Sequence, residues 1–272
     1  MKLSNNIRAT IIISVYKNSD ALIAVLNSLR QQTVQDFEVI VSEDGESAEI
    51  KKSVAEYDWF CPHQHLTQAD DGWQKNRALN RAIIAAKTDW LIFVDGDCLL
   101  HRRFVEMHLR YAQPQRILVG KRVKLSQPLS EKLLTRELSL QSLACVIWLR
   151  LITHRGCRYV DEGIFVPPFG SCQLRSAKKL TGCNMSFSRE AIMAINGFDE
   201  DYTLPAVGED ADLVWRFRAA GFELFSVRNR AITYHLYHKE NWSDQSVNLQ
   251  KMKDKQECNT FVCERGLNLH NK

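Results

Sequence analysis

No run of apolar residues in this chain approaches the roughly 20 needed to cross a bilayer. The longest nearly uncharged stretch, Leu138 to Leu149, falls well short, so no transmembrane helix is expected. The opening segment, Met1 to Ile12, lacks the long hydrophobic core and small-residue cleavage site of a signal peptide, and export is not expected. Paired cysteine motifs are missing too. The 8 cysteines are scattered, with no CxxC and no spacing that suggests zinc or a stapled secreted fold. They read as reduced thiols in a cytoplasmic protein. Charge of one sign is scarce: a formal net charge of +4 is too small to argue for nucleic acid. Basic residues do thicken between Lys121 and Arg189, a bias that suits an anionic membrane or an anionic acceptor.

What is present is an ordinary globular composition, 45% hydrophobic and 25% charged over 272 residues, sufficient for a substantial core. The length suits one large α/β domain with an appendage. Ala9 to Val15 is a continuous, largely β-branched run of the kind covered on both faces, which predicts a central parallel strand. Asp20 stands where it can cap a helix with Leu22, Val25, Leu26 and Leu29 on one face, and Phe37 to Val41 returns as a second strand. Trp73 to Ala86 predicts a further helix and Trp90 to Val94 a strand ending at Asp95. This alternation implies right-handed crossovers and a mostly parallel sheet, with the ligand crevice beyond the carboxyl ends of the strands.

Further along, Pro128 to His154 carries a longer helical pattern, followed by a loop rich in Gly, Pro and Cys from Gly156 to Cys172. Thr181 to Ser188 reads as a strand, Arg189 to Ile195 as a short helix, Gly208 to Ala220 as a helix closed by Gly221, and Phe222 to Val227 as a strand. Asn241 to Lys272 is polar and weakly helical, which predicts a peripheral or mobile tail.

Three clusters can carry chemistry. Asp95-Gly96-Asp97 directly follows the apolar run Leu91 to Val94. Two carboxylates at the mouth of a buried strand repel each other, and a divalent metal compensates them while leaving sites for diphosphate oxygens; a plain strand-ending turn is the alternative. In Gly208-Glu209-Asp210-Ala211-Asp212, the spacing puts Asp210 on the face of Leu213, Val214 and Phe217. Asp212 then pairs with Arg216 at i, i+4 and faces water, although acid enrichment in a first helical turn is also an ordinary dipole effect. His235 and His238 follow the apolar run Ala231 to Tyr234. They can join one metal site if the backbone turns there, or serve a structural role. Asp44 ends the second strand, where a carboxylate can accept from a base or ribose, or simply form a plain turn. Lys75 and Asn80 lie in the helix that starts near Trp73, close enough to its amino end to approach phosphates, or else form a solvated face.

In this order the motifs resemble those of bacterial family 2 glycosyltransferases of the GT-A fold, particularly those with a galactosyltransferase-like C-terminal segment. The resemblance runs from Thr10 to His238 through Ile11 to Asn18, Ser28 to Thr33, Asp36 to Gly45, Ala78 to Ile83, Asp95 to Asp97, Gly182 to Phe187, Asn196 to Glu200 and Gly208 to Leu213. It implies a Rossmann-like, mostly parallel α/β sheet flanked by helices, with a smaller acceptor-side subdomain. By position, it implies that Ser14 and Tyr16 border the nucleotide, Asp44 contacts the base and Asp95 lies near ribose and metal. Asp97 would ligate Mn²⁺ or Mg²⁺ with His238 and His235. Asp210 would be the catalytic base, with Glu209 orienting acceptor or donor. Two departures stand at the opening, where the common pattern has proline in place of Ser14 and asparagine in place of Lys17. Arg122 to Lys179 matches no motif and is expected to hold acceptor specificity.

The resemblance implies an inverting hexosyltransferase. It would move a hexose or N-acetylhexosamine from a UDP-sugar to a glycan or lipid-linked acceptor in lipopolysaccharide or other surface polysaccharide synthesis. The expected division is a nucleotide-sugar half over 1–120, an acceptor and catalytic half over 121–240, and a tail over 241–272. A sugar-phosphate nucleotidyltransferase would usually carry a Gly-rich basic loop after the first strand, which Ser14 to Asp20 is not. A non-catalytic nucleotide- or glycan-binding module is the other alternative. Leu133 to Leu151, with Lys132, Arg136 and Arg150 beside its leucines, can either rest on an anionic inner-membrane surface or pack on its own domain.

Overall fold

A computed structural model describes residues 7–153, 156–170, 172–205, 207–239 and 244–270. Its spine comes from the apolar runs. Strand β1 (Ala9–Val15) has Ile11, Ile12 and Ile13 fully buried, which requires cover on both faces. Strands β2 (Phe37–Glu43), β3 (His63–Leu66) and β4 (Trp90–Asp95) complete a parallel set in which Ser14 stands opposite Ser42 on one side and Asp95 on the other. Helices α1 (Ser19–Arg30), α2 (Ala48–Glu56) and α3 (Lys75–Ala85) lie in the connections between them. In α1 the four predicted apolar positions are fully buried, each burial stabilising by roughly 1.5–3 kcal/mol. The cap differs from expectation: the Asn18 side chain accepts from the Ala21 amide at 3.1 Å, and Asp20 sits inside the first turn.

The next elements are β5 (Cys98–Leu100), α4 (Phe104–Tyr111), β6 (Arg116–Val119) and β7 (Lys121–Lys124). The long helix expected over Pro128 to His154 is two helices, α5 (Gln127–Leu134) and α6 (Leu140–Thr153). Arg136, at φ 63°, turns the chain left-handed between them; His154 lies outside the described residues. Leu143 and Ile147 of α6 pack inward while Trp148 and Leu149 are exposed. No helix among the described residues is long and apolar enough to cross a membrane.

Beyond β8 (Met185–Ser188) and α7 (Arg189–Ala194) come α8 (Asp212–Ala219), β9 (Glu223–Ser226), β10 (Ile232–His235) and α9 (Ser246–Glu257). The central sheet has the order β3-β2-β1-β4-β8-β6-β9, and β8 runs antiparallel to both its neighbours, so the sheet is mostly parallel. It takes strands from both sides of residue 120. A second sheet, β5-β10-β7, crosses its rim. Asn184 joins the two sheets, and the turn before it shortens the strand expected from Thr181. Its carboxamide donates to the carbonyls of Lys121 and Ala231 and to Thr233. A Cβ on Gly120 would fall 2.1 Å from that side chain, so only glycine fits there.

The C-terminal stretch is not a loose tail. In α9, Asn248 is buried and donates to the Leu204 carbonyl, and Lys255 pairs with Asp199 and Asp201. Cys263 and Leu267 are buried, and His270 meets Glu200 at 2.6 Å. The polar residues of this peripheral segment are held because the surface that receives them is itself acidic. All eight cysteines are unpaired.

Candidate active site

The crevice forms where β1 and β4 end side by side. The Gly96 amide donates to the Ser14 carbonyl at 2.7 Å, and a Cβ at Gly96 would lie 3.1 Å from that oxygen and 3.0 Å from Val15. The glycine between the two aspartates therefore permits the close turn that projects them. Pairing of β10 with β5 sets His235 opposite Cys98, and the Leu236 amide donates to the Asp97 carbonyl at 2.9 Å. Asp97 Oδ2 consequently lies 3.5 Å from Nε2 of His235 and 3.5 Å from Nε2 of His238. The two rings are 5.0 Å apart by their centroids.

A carboxylate oxygen flanked by two imidazole nitrogens is a donor set that a divalent ion of the Mn²⁺ type accepts, with Asp97 in reach of both rings and the two imidazoles outside ligand range of each other. Cys98 also lies within ligand range of Asp97 and His235. Its thiol is fully buried, and burial, aided by Cys183, pushes its pKa well up. A neutral, soft thiol does not compete for a hard cation.

Behind Asp97 stands a second charged group. Lys75 Nζ is 2.8 Å from Asp95 Oδ1 and 2.5 Å from Glu209 Oε1. Burial opposes the ionised form of Asp95, but Lys75, with Arg122 and His235 beyond it, holds its pKa below the ordinary value. Glu209 goes the other way: burial, reinforced by Asp95 and Asp210, pushes it up to about 7 against the pull of Lys75. One ammonium faces two carboxylates, and it satisfies Asp95 first because Arg122 adds to the field there.

Glu209 and Asp210 do not open a regular helix. Val207–Ala211 forms a π-helical turn before α8 begins at Asp212. The wider turn takes Asp210 out of the i, i+3, i+4 count, and α8 turns Asp212, Leu213, Arg216 and Phe217 inward together, so the expectation that Asp212 faces water fails. Asp212 and Arg216 do pair, at 3.0 Å, yet both are fully buried, and Tyr202 and Trp215 also donate to Asp212. Asp210 is half-buried near the Gly182 amide. Burial raises its pKa, and that amide, Lys75 and Arg122 pull it back. A Cβ on Gly182 would meet Glu209 Oε1 at 2.1 Å, which ties this glycine to the same cluster.

A cavity of about 680 Å³ opens on these groups, lined by Ser14, Tyr16, Asp44, Lys75, Asp95, Asp97, His235 and His238, together with Trp73 and Arg122. The Asp44 carboxylate is held from behind by Gln68 Nε2 and the Gln74 amide, each at 2.8 Å. Tyr16 is exposed, its hydroxyl 3.4 Å from Asp70. Asn80 is not at this cavity. It is fully buried, donates to the Phe198 carbonyl and Glu200, and accepts from the Phe198 amide, so its side chain is spent on holding the 198–200 loop. Asp210 opens instead on an adjoining cavity of about 790 Å³. Arg122 lines both cavities and was not singled out from the sequence. Its signal, a cation in a short strand without apolar periodicity, is too weak to find without the pairing of β7.

A family model described as glycosyl transferase family 2 matches residues 10–180. The chain belongs to glycosyl transferase family 2. A second model, described as the N-terminal domain of galactosyltransferase, matches residues 171–239 of this family 2 chain. Among curated proteins it is similar to a chondroitin synthase of Pasteurella multocida (strain Pm70), at 25% identity over 93% of this chain and 28% of that protein. It is also similar to a chondroitin synthase of Escherichia coli, at 24% identity over 88% of this chain and 36% of the relative. The chain thus spans about a third of the length of these relatives.

Among solved structures it resembles GalNAc-T7 with UDP, GalNAc and Mn²⁺, with a TM-score of 0.64 and 14% identity over 92% of this chain and 48% of that one. It also resembles the mannosyltransferase PcManGT from Pyrobaculum calidifontis in complex with GDP-Man and Mn²⁺, with a TM-score of 0.57 and 16% identity over 88% and 59% of the two chains. These likenesses identify the fold as GT-A.

Proposed function

We propose that this family 2 chain transfers a sugar from a UDP-sugar to a hydroxyl of a glycan acceptor, with inversion at the anomeric carbon, in the synthesis of a surface polysaccharide. The observation that carries the reading is the convergence of Asp97, His235 and His238 at the mouth of a cavity shared with Lys75 and Asp95 and adjoined by Asp210. The names of the relatives and structural neighbours, which combine UDP, Mn²⁺ and polysaccharide synthesis, support the donor and product classes. Acceptors carried on lipid or lipopolysaccharide fit the same chemistry, at the cytoplasmic face of a membrane.

Asp97, His235 and His238 would hold a divalent ion, which supplies positive charge against the departing diphosphate. Ser14, Tyr16 and Asp44 border the nucleotide, with the Asp44 carboxylate already oriented by Gln68 and Gln74. Lys75 holds Asp95 and Glu209 in place, and with Arg122 it offsets the carboxylates that line the cavity where negative charge develops. Asp210 takes the proton of the acceptor hydroxyl as its oxygen bonds the anomeric carbon. The bond from that carbon to the diphosphate oxygen breaks, and its electron pair leaves with the diphosphate. Burial makes Asp210 a stronger base than an exposed aspartate.

The test is release of UDP from a panel of UDP-sugars with and without Mn²⁺. Asp97→Ala and His238→Ala are expected to weaken Mn²⁺ binding in a calorimetric titration by about 10-fold or more. Asp210→Asn is expected to cut transfer about 10²–10⁴-fold while leaving Mn²⁺ affinity intact. Near-normal turnover in Asp210→Asn would refute its role as base.

A further inference from the structure

The cavity beside Asp210 carries a charge unlike the rest of the molecule. Three of its cations, Lys121, Arg122 and Lys124, come from the single strand β7. Lys178, Lys179 and Arg218 reach it from the opposite wall, and Arg228 lines it as well. Against these seven stand two carboxylates, Asp210 and Glu162, and Glu162 is already engaged by Arg228 and Arg175. Asp95 draws on Arg122 and Glu162 on Arg228, so Lys121, Lys178, Lys179 and Arg218 carry most of the cavity's uncompensated positive charge. Lys178 and Lys179 are exposed, and no carboxylate among the described residues pairs with either. Cations concentrated this way at a concave surface repel one another and draw an anion.

The walls have the right form for a sugar. Tyr159 is 59% exposed and held at φ 58°, a left-handed conformation uncommon for a bulky residue. Trp215 is fixed by its indole N–H on Asp212 at 3.0 Å. Both rings line the cavity and offer it apolar surface between the charges.

We propose that this cavity is the acceptor subsite and that it selects a glycan bearing an anionic group, carboxylate or phosphate, on or next to the sugar that presents the hydroxyl. The inference rests on the transferase reading of Asp210, whose carboxylate supplies the cavity's one unengaged acid. Lys178 and Lys179 hold the anion at the rim, and Arg122 and Lys121 face it from the floor. A neutral glycan fills the same space without offsetting the charge.

The experiment measures calorimetric binding of three matched trisaccharides to the full chain with UDP and Mn²⁺. Their terminal sugar is glucuronic acid, glucose 6-phosphate or glucose. At low salt the charged forms are expected to bind about 10-fold tighter than the neutral one, a gap that narrows as salt shortens the Debye length. Lys178→Ala/Lys179→Ala is expected to remove most of the preference. Lys51→Ala/Lys52→Ala, the same charge change on α2 outside the cavity, is expected to leave it intact. The relative affinity of uronate and phosphate identifies which anion the site takes.

Equal binding of all three saccharides would overturn the proposal, as would equal loss of preference in both double variants. Equal affinity for polyglutamate or for anionic vesicles would overturn it too, by showing a general polyanion surface. UDP release by the same samples separates the two readings. Loss of charge preference with UDP release intact removes this inference alone, whereas charged saccharide bound without UDP release from any donor removes the transferase reading.

Discussion

Replacing Glu209 by Gln changes how stability depends on pH, and the structure sets the size of the change. Glu209 is the carboxyl that shares Lys75 with Asp95, and its pKa of about 7 stands above the ordinary 4.5 because it is buried beside two other acids. An acid whose folded pKa exceeds its unfolded value binds more protons when folded. Its folded state therefore loses relative stability as pH climbs from about 4.5 to about 7. Two and a half pKa units correspond to about 3 kcal/mol in full, of which about 2–3 kcal/mol falls between pH 5 and pH 8.

Glutamine keeps the oxygen that Lys75 donates to and removes the titration. Glu209→Gln should therefore escape that loss. Urea unfolding at pH 5 and pH 8 reads it directly: the wild-type midpoint should fall by about 1 M more than the variant midpoint, for a slope of about 2–3 kcal/mol per molar. Parallel pH dependence in the two proteins would refute the placement of a raised carboxyl beside Lys75. A steeper fall in the variant would reverse the sign and refute it more firmly.

Asn80→Ala should cost about 3 kcal/mol or more, because it strands the Phe198 amide and carbonyl in the interior and leaves Glu200 with His270 as its remaining partner. Urea unfolding measures that loss, while the KM for donor should stay unchanged; a raised KM with unaltered stability would return Asn80 to the donor cavity. Gly182→Ala places a methyl group 2.1 Å from Glu209 Oε1 and must push that carboxylate off Lys75. UDP-release kinetics should show kcat lowered at least about 10-fold, the scale of a displacement near 1 Å, and wild-type kcat would contradict it.

The parallel half of the fold was legible because each of its strands declares itself. Ala9 to Val15 and Trp90 to Val94 are continuous apolar runs, and the acids that follow them stand at the sheet's open end by geometry alone. The strands that complete the candidate site were not. Cys98–Leu100, Lys121–Lys124 and Ile232–His235 are three or four residues long, and pairing with one another creates them more than any pattern of their own. Periodicity failed most plainly at Glu209 to Asp212. A count of 3.6 residues per turn anchored on Asp210 has no means of registering the π-helical turn there, and it centred the buried face away from Asp212 and Arg216, which α8 holds inside beside Leu213 and Phe217. At Asn80 neither expected role appears, because the 198–200 loop packed across from it takes up the whole carboxamide.

The hydrogen bond from Leu236 to Asp97 spans about half the polypeptide. A nascent chain therefore finishes β1 to β4 and both aspartates long before either imidazole has left the ribosome, and domains assemble in that order. With the ligand set proposed here, a half-made molecule has no nitrogen donors and little hold on an ion. The proposed ligand set is complete only once the strand ending in His235 has slotted between its two neighbours.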